Sequence, residues 1–139
     1  MPWSLEAFLP CRQQAELAAE LNALKSLDKA PALAERLRGF QLNLANRGLG
    51  GQMLTGLISA CNDRLTSRVI ELTASRHRLP PVTWCWLALG SEGRHEQTFV
   101  TDQDNGLIFN AADSREADAL RAIFLPFAQD VNQGLAACG

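Results

Sequence analysis

The chain has no excess of positive charge. Its 13 Lys and Arg stand against 15 Asp and Glu, a formal charge of -2. Binding to nucleic acid or to an anionic membrane surface calls for a basic face, so neither partner is expected. No apolar run approaches the roughly 20 residues that span a bilayer. Met-Pro-Trp-Ser-Leu-Glu is no signal peptide, and a cytoplasmic location follows as the expectation. Cysteine is present without a pattern. Cys11, Cys61, Cys85 and Cys138 are far apart, with no CxxC and no nearby His pair. Each sits among apolar residues, so buried free thiols are expected rather than metal ligands or a disulfide framework.

Several familiar sites are missing too. There is no GxxxxGK[ST] phosphate loop. The glycines at Gly48, Gly50 and Gly51 do not follow a strand, and Met53 stands where the third Gly of GxGxxG would be, so they read as a helix break. A G-x-S-x-G nucleophile elbow would need Gly at Leu89. A calcium loop counted from Asp102 would want Gly at its sixth position and Glu at its twelfth, where Leu107 and Asp113 stand.

What is there is an ordinary globular composition over 139 residues, 47% hydrophobic and 20% charged. That is enough for one domain, or one with an appendage, and a sizeable core. Ser4 can cap a first helix with Leu5, Phe8, Leu9, Leu17, Leu21 and Leu24 at steps of three and four, broken at Asp28 to Pro31. A second helix places Leu33, Leu37, Phe40 and Leu44 on one face, with Glu35, Arg36 and Arg38 outside, and ends at the glycines. From Gln52 a third is expected to bury Met53, Leu54, Leu57, Ile58, Cys61, Leu65, Val69 and Leu72 and to run to Pro80-Pro81. About half the chain is thus helical before any strand. A last helix, capped at Asp113-Ser114, carries Ala117, Leu120, Ile123, Phe124, Phe127 and Val131, with a kink expected at Pro126.

Between these helices lies WLALGSEGRHEQTFVTDQDNGLIF, from Trp86 to Phe109. An apolar strand stops at Gly90-Ser91, a short helix follows, and Asp102-Gln103-Asp104 opens a second strand. Alternation along a strand places Asp102 and Asp104 on one face. Turn composition alone explains Asp, Asn, Gly and Thr here, but not two acids on one face. Carboxylates about 6 Å apart repel by roughly 2 to 3 kcal/mol at an effective dielectric of 20, a cost that a divalent cation offsets. Oxygen ligands point to Mg²⁺ or Mn²⁺, which bind one or two carboxylates and complete their shell with water and substrate phosphates. Gly90 permits a sharp turn and Ser91 starts a helix whose free N–H groups attract phosphate. The combination implies phosphoryl or nucleotidyl transfer.

These residues resemble the DNA polymerase β-like nucleotidyltransferase superfamily, whose signature is Gly-Ser, a short helix, then Asp-x-Asp at the next strand. Within it, GSEGRHEQTFVTDQDNGLIF is similar to the nucleotidyltransferase family found downstream of CBS and cyclic-nucleotide-binding domains in bacterial signalling proteins, related to the uridylyltransferase of the PII protein. LISACNDRLTSR, from Leu57 to Arg68, looks like that family's helical lead-in. The resemblance implies that Gly90 and Ser91 hold nucleotide phosphates and that Asp102 and Asp104 are the catalytic, metal-binding carboxylates. Arg94 either touches a phosphate or pairs with Glu96. Glu92 and His95 read as exposed helix residues, Gln97 as a residue that helps hold the loop, and Thr101 as one that orders the backbone before Asp102. The superfamily's third carboxylate has no counterpart, since Asp113, Glu116, Asp118 and Asp130 fall on the last cap and helix.

The expected fold class is α+β: a helical segment over 1–79, then over 80–139 the front part of a polymerase β-like fold, a small mixed sheet with flanking helices. Two strands make a poor sheet, so further strands are expected beyond Gly139 or from a partner chain. The expected activity is transfer of a nucleoside monophosphate from a nucleoside triphosphate to a protein or small-molecule hydroxyl. A non-catalytic nucleotide-binding or sensing module, or a homodimerisation module built on the N-terminal helices, is the alternative.

Overall fold

The computed structural model describes residues 12–100 and 102–139. Among them the order is α1 (Arg12–Asn22), α2 (Ala30–Asn46), α3 (Gly51–Ala74), β1 (Trp84–Ala88), α4 (Gly90–Gly93), β2 (Asn105–Phe109) and α5 (Ser114–Cys138). A 3-10 turn at Leu27–Lys29 precedes α2. The expectations for Ser4, Leu5, Phe8, Leu9, Cys11 and Thr101 fall outside the described residues.

α1 buries Leu17 and Leu21, with Leu24 buried just past its end. Pro31 sits in the first turn of α2, where an amide N–H would have no helical acceptor to lose. Leu33, Leu37 and Phe40 then line the buried face, and Leu44 packs at its margin. Gly48 closes the helix at φ +89°, its N–H donating to the Ala45 carbonyl at 3.0 Å while Leu49 N–H reaches the Leu44 carbonyl at 3.0 Å. This paired closure needs a left-handed residue, which glycine supplies without strain.

α3 starts one residue before the expected position and buries Leu57, Ile58, Cys61, Leu65 and Val69. Met53 is corrected: it is 43% exposed, because the first turn of α3 stands beyond the helices that cover its middle. The helix also stops at Ala74, short of Pro80-Pro81. Ser75 Oγ donates to the Leu72 carbonyl at 2.7 Å, and His77 leaves the helix to meet Asp130 of α5 at 2.7 Å, its ring edge-on to Phe127.

β1 and β2 pair antiparallel, from Trp84 opposite Phe109 to Ala88 opposite Asn105. The inner face carries Trp84, Trp86, Leu107 and Phe109 onto the core, where α5 supplies two aromatic anchors. Phe109 stacks on Phe124 with centroids 5.1 Å apart, and Trp84 meets Phe127 edge-on at 5.3 Å. The outer face carries Cys85 opposite Ile108, both exposed. Cys85 is therefore not a buried thiol, unlike Cys61 and Cys138. Strand alternation turns it away from its two tryptophan neighbours.

α5 begins as expected at Asp113, whose carboxylate accepts the Glu116 N–H at 2.8 Å, while the Glu116 carboxylate reaches back to the Ala112 N–H. The helix runs unbroken through Pro126, with Leu120, Phe124, Phe127, Val131, Leu135 and Cys138 buried. Ile123 is corrected to 43% exposed, since it lies one position off that stripe. One hydrophobic core draws on α1, α2, α3 and α5 and on the inner face of the sheet. The class is α+β. The sheet is antiparallel, and the parallel strand that a mixed sheet needs is absent among the described residues. None of their helices is long and apolar enough to cross a membrane.

Candidate functional site

The site begins where β1 runs out. Leu89 keeps an extended backbone, and its N–H donates to the Asp104 carbonyl at 2.8 Å, which carries the antiparallel pairing one step beyond Ala88 and Asn105. The chain then reverses at Gly90, at φ +60°. A Cβ at Gly90 would lie 2.7 Å from Asp104 Oδ2, and one at Gly93 would lie 2.6 Å from the Ala88 carbonyl oxygen. Each glycine is thus required for a separate reason: the first lets the Asp104 carboxylate rest over the turn, the second lets α4 fold back on β1. Ser91 is half-buried between them.

The two carboxylates are not placed by the same device. β2 starts at Asn105, so Asp102 and Asp104 precede the strand instead of sharing a face within it. The pairing with Leu89 fixes Asp104, and Asn105 adds a tie to α5 through Asn132 at 3.3 Å. Asp102 lies in irregular chain, and both acids are exposed. Among the described residues, no cluster of three or more His, Cys, Asp or Glu could hold a metal ion. Arg94 makes the second of its two expected contacts, Nε to Glu96 Oε2 at 2.9 Å, with both side chains largely in solvent. Such a pair contributes about 0 to 1 kcal/mol, so Arg94 can exchange it for a phosphate at little cost.

Behind the turn the structure departs from the sequence reading. Glu92 is not an exposed helix residue: it is 5% exposed and points toward α3. Burial and, secondarily, the charge of Asp63 push its carboxyl above the ordinary value, and a hydrogen bond from Thr66 pulls it back. His95 is exposed as expected but is not a helix residue: it lies past the end of α4, at φ +56°, with Nδ1 3.4 Å from Asp63 Oδ2. Burial raises the Asp63 carboxyl and His95 opposes that shift. Gln97 is buried and its Oε1 accepts from Asn62 Nδ2 at 2.7 Å, which agrees with a role in holding the loop. Asn62, Asp63 and Thr66, at steps of three and four, share one flank of α3, a polar set within an apolar helix. A cavity of about 30 Å³ lies among the polar Asn62, Thr66, Glu92, Gln97 and Gln103 and the apolar Leu65, Leu135 and Cys138.

A family model described as "Putative nucleotidyltransferase DUF294" matches residues 35–139, three quarters of the chain, including α3, the turn and both acids. No curated protein and no solved structure matches.

Proposed function

Because the chain belongs to this nucleotidyltransferase family, we propose that it binds a nucleoside triphosphate at the Gly90–Ser91 turn and transfers its nucleoside monophosphate to a protein or small-molecule hydroxyl. The acceptor oxygen bonds to the α-phosphorus, the bond from that phosphorus to the oxygen bridging to the β-phosphate breaks, and pyrophosphate leaves with the electron pair. The hydroxyl proton passes to solvent or to a carboxylate of the site. A signalling role, and kinship with the PII uridylyltransferase, belong to the same proposal.

The observation that carries it is the contact between Gly90 and Asp104, which brings the Gly-Ser turn and a carboxylate to one point. Asp102 and Asp104 form an all-oxygen, exposed donor pair, which suits Mg²⁺ or Mn²⁺ with water and phosphate completing the shell. When bound, that ion would neutralise charge developing on the phosphates. The chain itself supplies the rest. Gly90 lets the Asp104 carboxylate lie against the turn, Ser91 offers its hydroxyl and backbone N–H, and Arg94 is free to turn from Glu96 to a phosphate oxygen.

Titration calorimetry with each nucleoside triphosphate, with and without Mg²⁺, tests this reading. Binding should require the metal and should weaken about tenfold or more, ~1.4 kcal/mol, in the Asp102→Asn/Asp104→Asn chain with its circular dichroism unchanged. Equal affinity in that double variant would sink the proposal. A second reading, nucleotide binding without turnover, is favoured by the lack of a third acid near the pair among the described residues. Nucleotide binding without pyrophosphate release for any acceptor hydroxyl would select it.

A further inference from the structure

A set of polar contacts lies behind the site and touches neither carboxylate of the Asp-Gln-Asp segment through any hydrogen bond described above. Three contacts join α3 to the turn: Asn62 to Gln97 at 2.7 Å, Thr66 to Glu92, and Asp63 to His95 at 3.4 Å. Of the three turn residues only Glu92 and Gln97 are buried, and Gln97 has a neutral partner of matching chemistry. Glu92 is different. A carboxyl at 5% exposure beside a second carboxyl is costly to bury, and hydrophobic packing fills such a place more cheaply.

Its position accounts for that cost. α4 is a single turn of four residues and has no length from which to draw stability of its own. Its two glycines add freedom to the unfolded chain. The turn therefore holds its shape only if something grips it from below. The cavity of about 30 Å³ beside Glu92 also reaches Gln103, the residue between the two acids.

We propose, on the premise that the site binds nucleotide as above, that Glu92 is a positioning residue: gripped by Thr66 of α3, it holds the Gly90–Ser91 turn and the Asp102–Asp104 segment in register for the triphosphate. Glu92 does not touch substrate. It acts through the backbone on either side of it.

Glu92→Ala, Glu92→Gln and Thr66→Val separate this role from a bland one. In Glu92→Ala, amide exchange over residues 89–97 should speed about tenfold or more while exchange in α3 stays as in wild type. Mg²⁺–nucleotide affinity should fall by a similar factor. Glu92→Gln keeps shape and the bond to Thr66, and should restore both readings to within about threefold. Thr66→Val, which removes one hydroxyl, should loosen the turn with the fold intact, and so decides the matter even if Glu92→Ala does not fold. Turn amides at wild-type rates in Thr66→Val, or Glu92→Gln as loose as Glu92→Ala, would overturn the proposal. So would a lower melting temperature with nucleotide affinity and turn exchange unchanged. Should wild type bind no nucleotide, the functional reading fails, and the exchange measurements still decide whether Glu92 holds the turn.

Discussion

At Gly90 two demands fall on one missing side chain: a backbone at φ +60° and a carboxylate that a Cβ would meet at 2.7 Å. Glycine after an apolar strand announces a turn, and that much is readable from sequence; the contact with Asp104 depends on pairing between segments and is not. Glu92 was illegible for a related reason. A four-residue helix has no apolar periodicity to show which residue faces in, and charge in such a turn reads as solvent-facing by default. Cys61, by contrast, follows its stripe and is buried as expected, and burial pushes its thiol from 9.0 up to about 11, partly opposed by a hydrogen bond from Gln41. The folded chain therefore keeps a proton that the unfolded chain releases above pH 9. The resulting stability is fully present below pH 9 and is lost as the pH rises to about 11. The chain has no tyrosine to titrate in the same window. Urea unfolding of wild type and Cys61→Ala at pH 8 and pH 11 should show wild type losing on the order of 2 kcal/mol more than the variant. Equal losses would mean that the thiol is not shielded.

Among the elements, those with long apolar stripes were the legible ones. α2, α3 and α5 show steps of three and four over many turns, and their capping residues, Gly48 and Asp113, close the ends by identifiable hydrogen bonds. Errors collect at stripe edges and helix ends, as at Met53, Ile123 and the stop of α3 at Ala74, because periodicity fixes a face but not how far neighbouring elements cover it. α5 offers a direct check. Phe124 is 2% exposed and stacks on Phe109, while its neighbour Ile123 is 43% exposed. Phe124→Ala should cost about 3 to 5 kcal/mol in urea unfolding, through lost burial and the cavity left under the sheet. Ile123→Ala should cost well under about 1 kcal/mol. A reversal of that order would mean that the helix is rotated about its axis.

For the whole molecule, the change from helices to mixed elements near residue 80 is not a break in the core. Leu37 and Phe40 of α2, Leu65 and Val69 of α3, and Phe124, Phe127 and Val131 of α5 belong to one cluster, with Trp84, Trp86, Leu107 and Phe109 packed on it. A two-stranded sheet is marginal by itself, and here it is stabilised by resting on α5. α5 in turn packs on α3, where Val69 Cγ1 leaves no room for a Cβ at Gly134. The sheet therefore cannot leave without uncovering the helices. Neither can the helices melt without removing the flank of α3 that grips the turn. Thermal unfolding should thus be one cooperative step. In a Trp3→Phe background, tryptophan fluorescence reports on β1 through Trp84 and Trp86, and far-ultraviolet circular dichroism reports mainly on the helices. The two midpoints should coincide, and saturating Mg²⁺–nucleotide should raise both together, since a ligand that binds only the folded chain stabilises everything folded with it. Separate midpoints, with nucleotide moving the fluorescence alone, would show instead that the turn and sheet fold as a unit independent of the helices, and that α3 plays no part in holding the site.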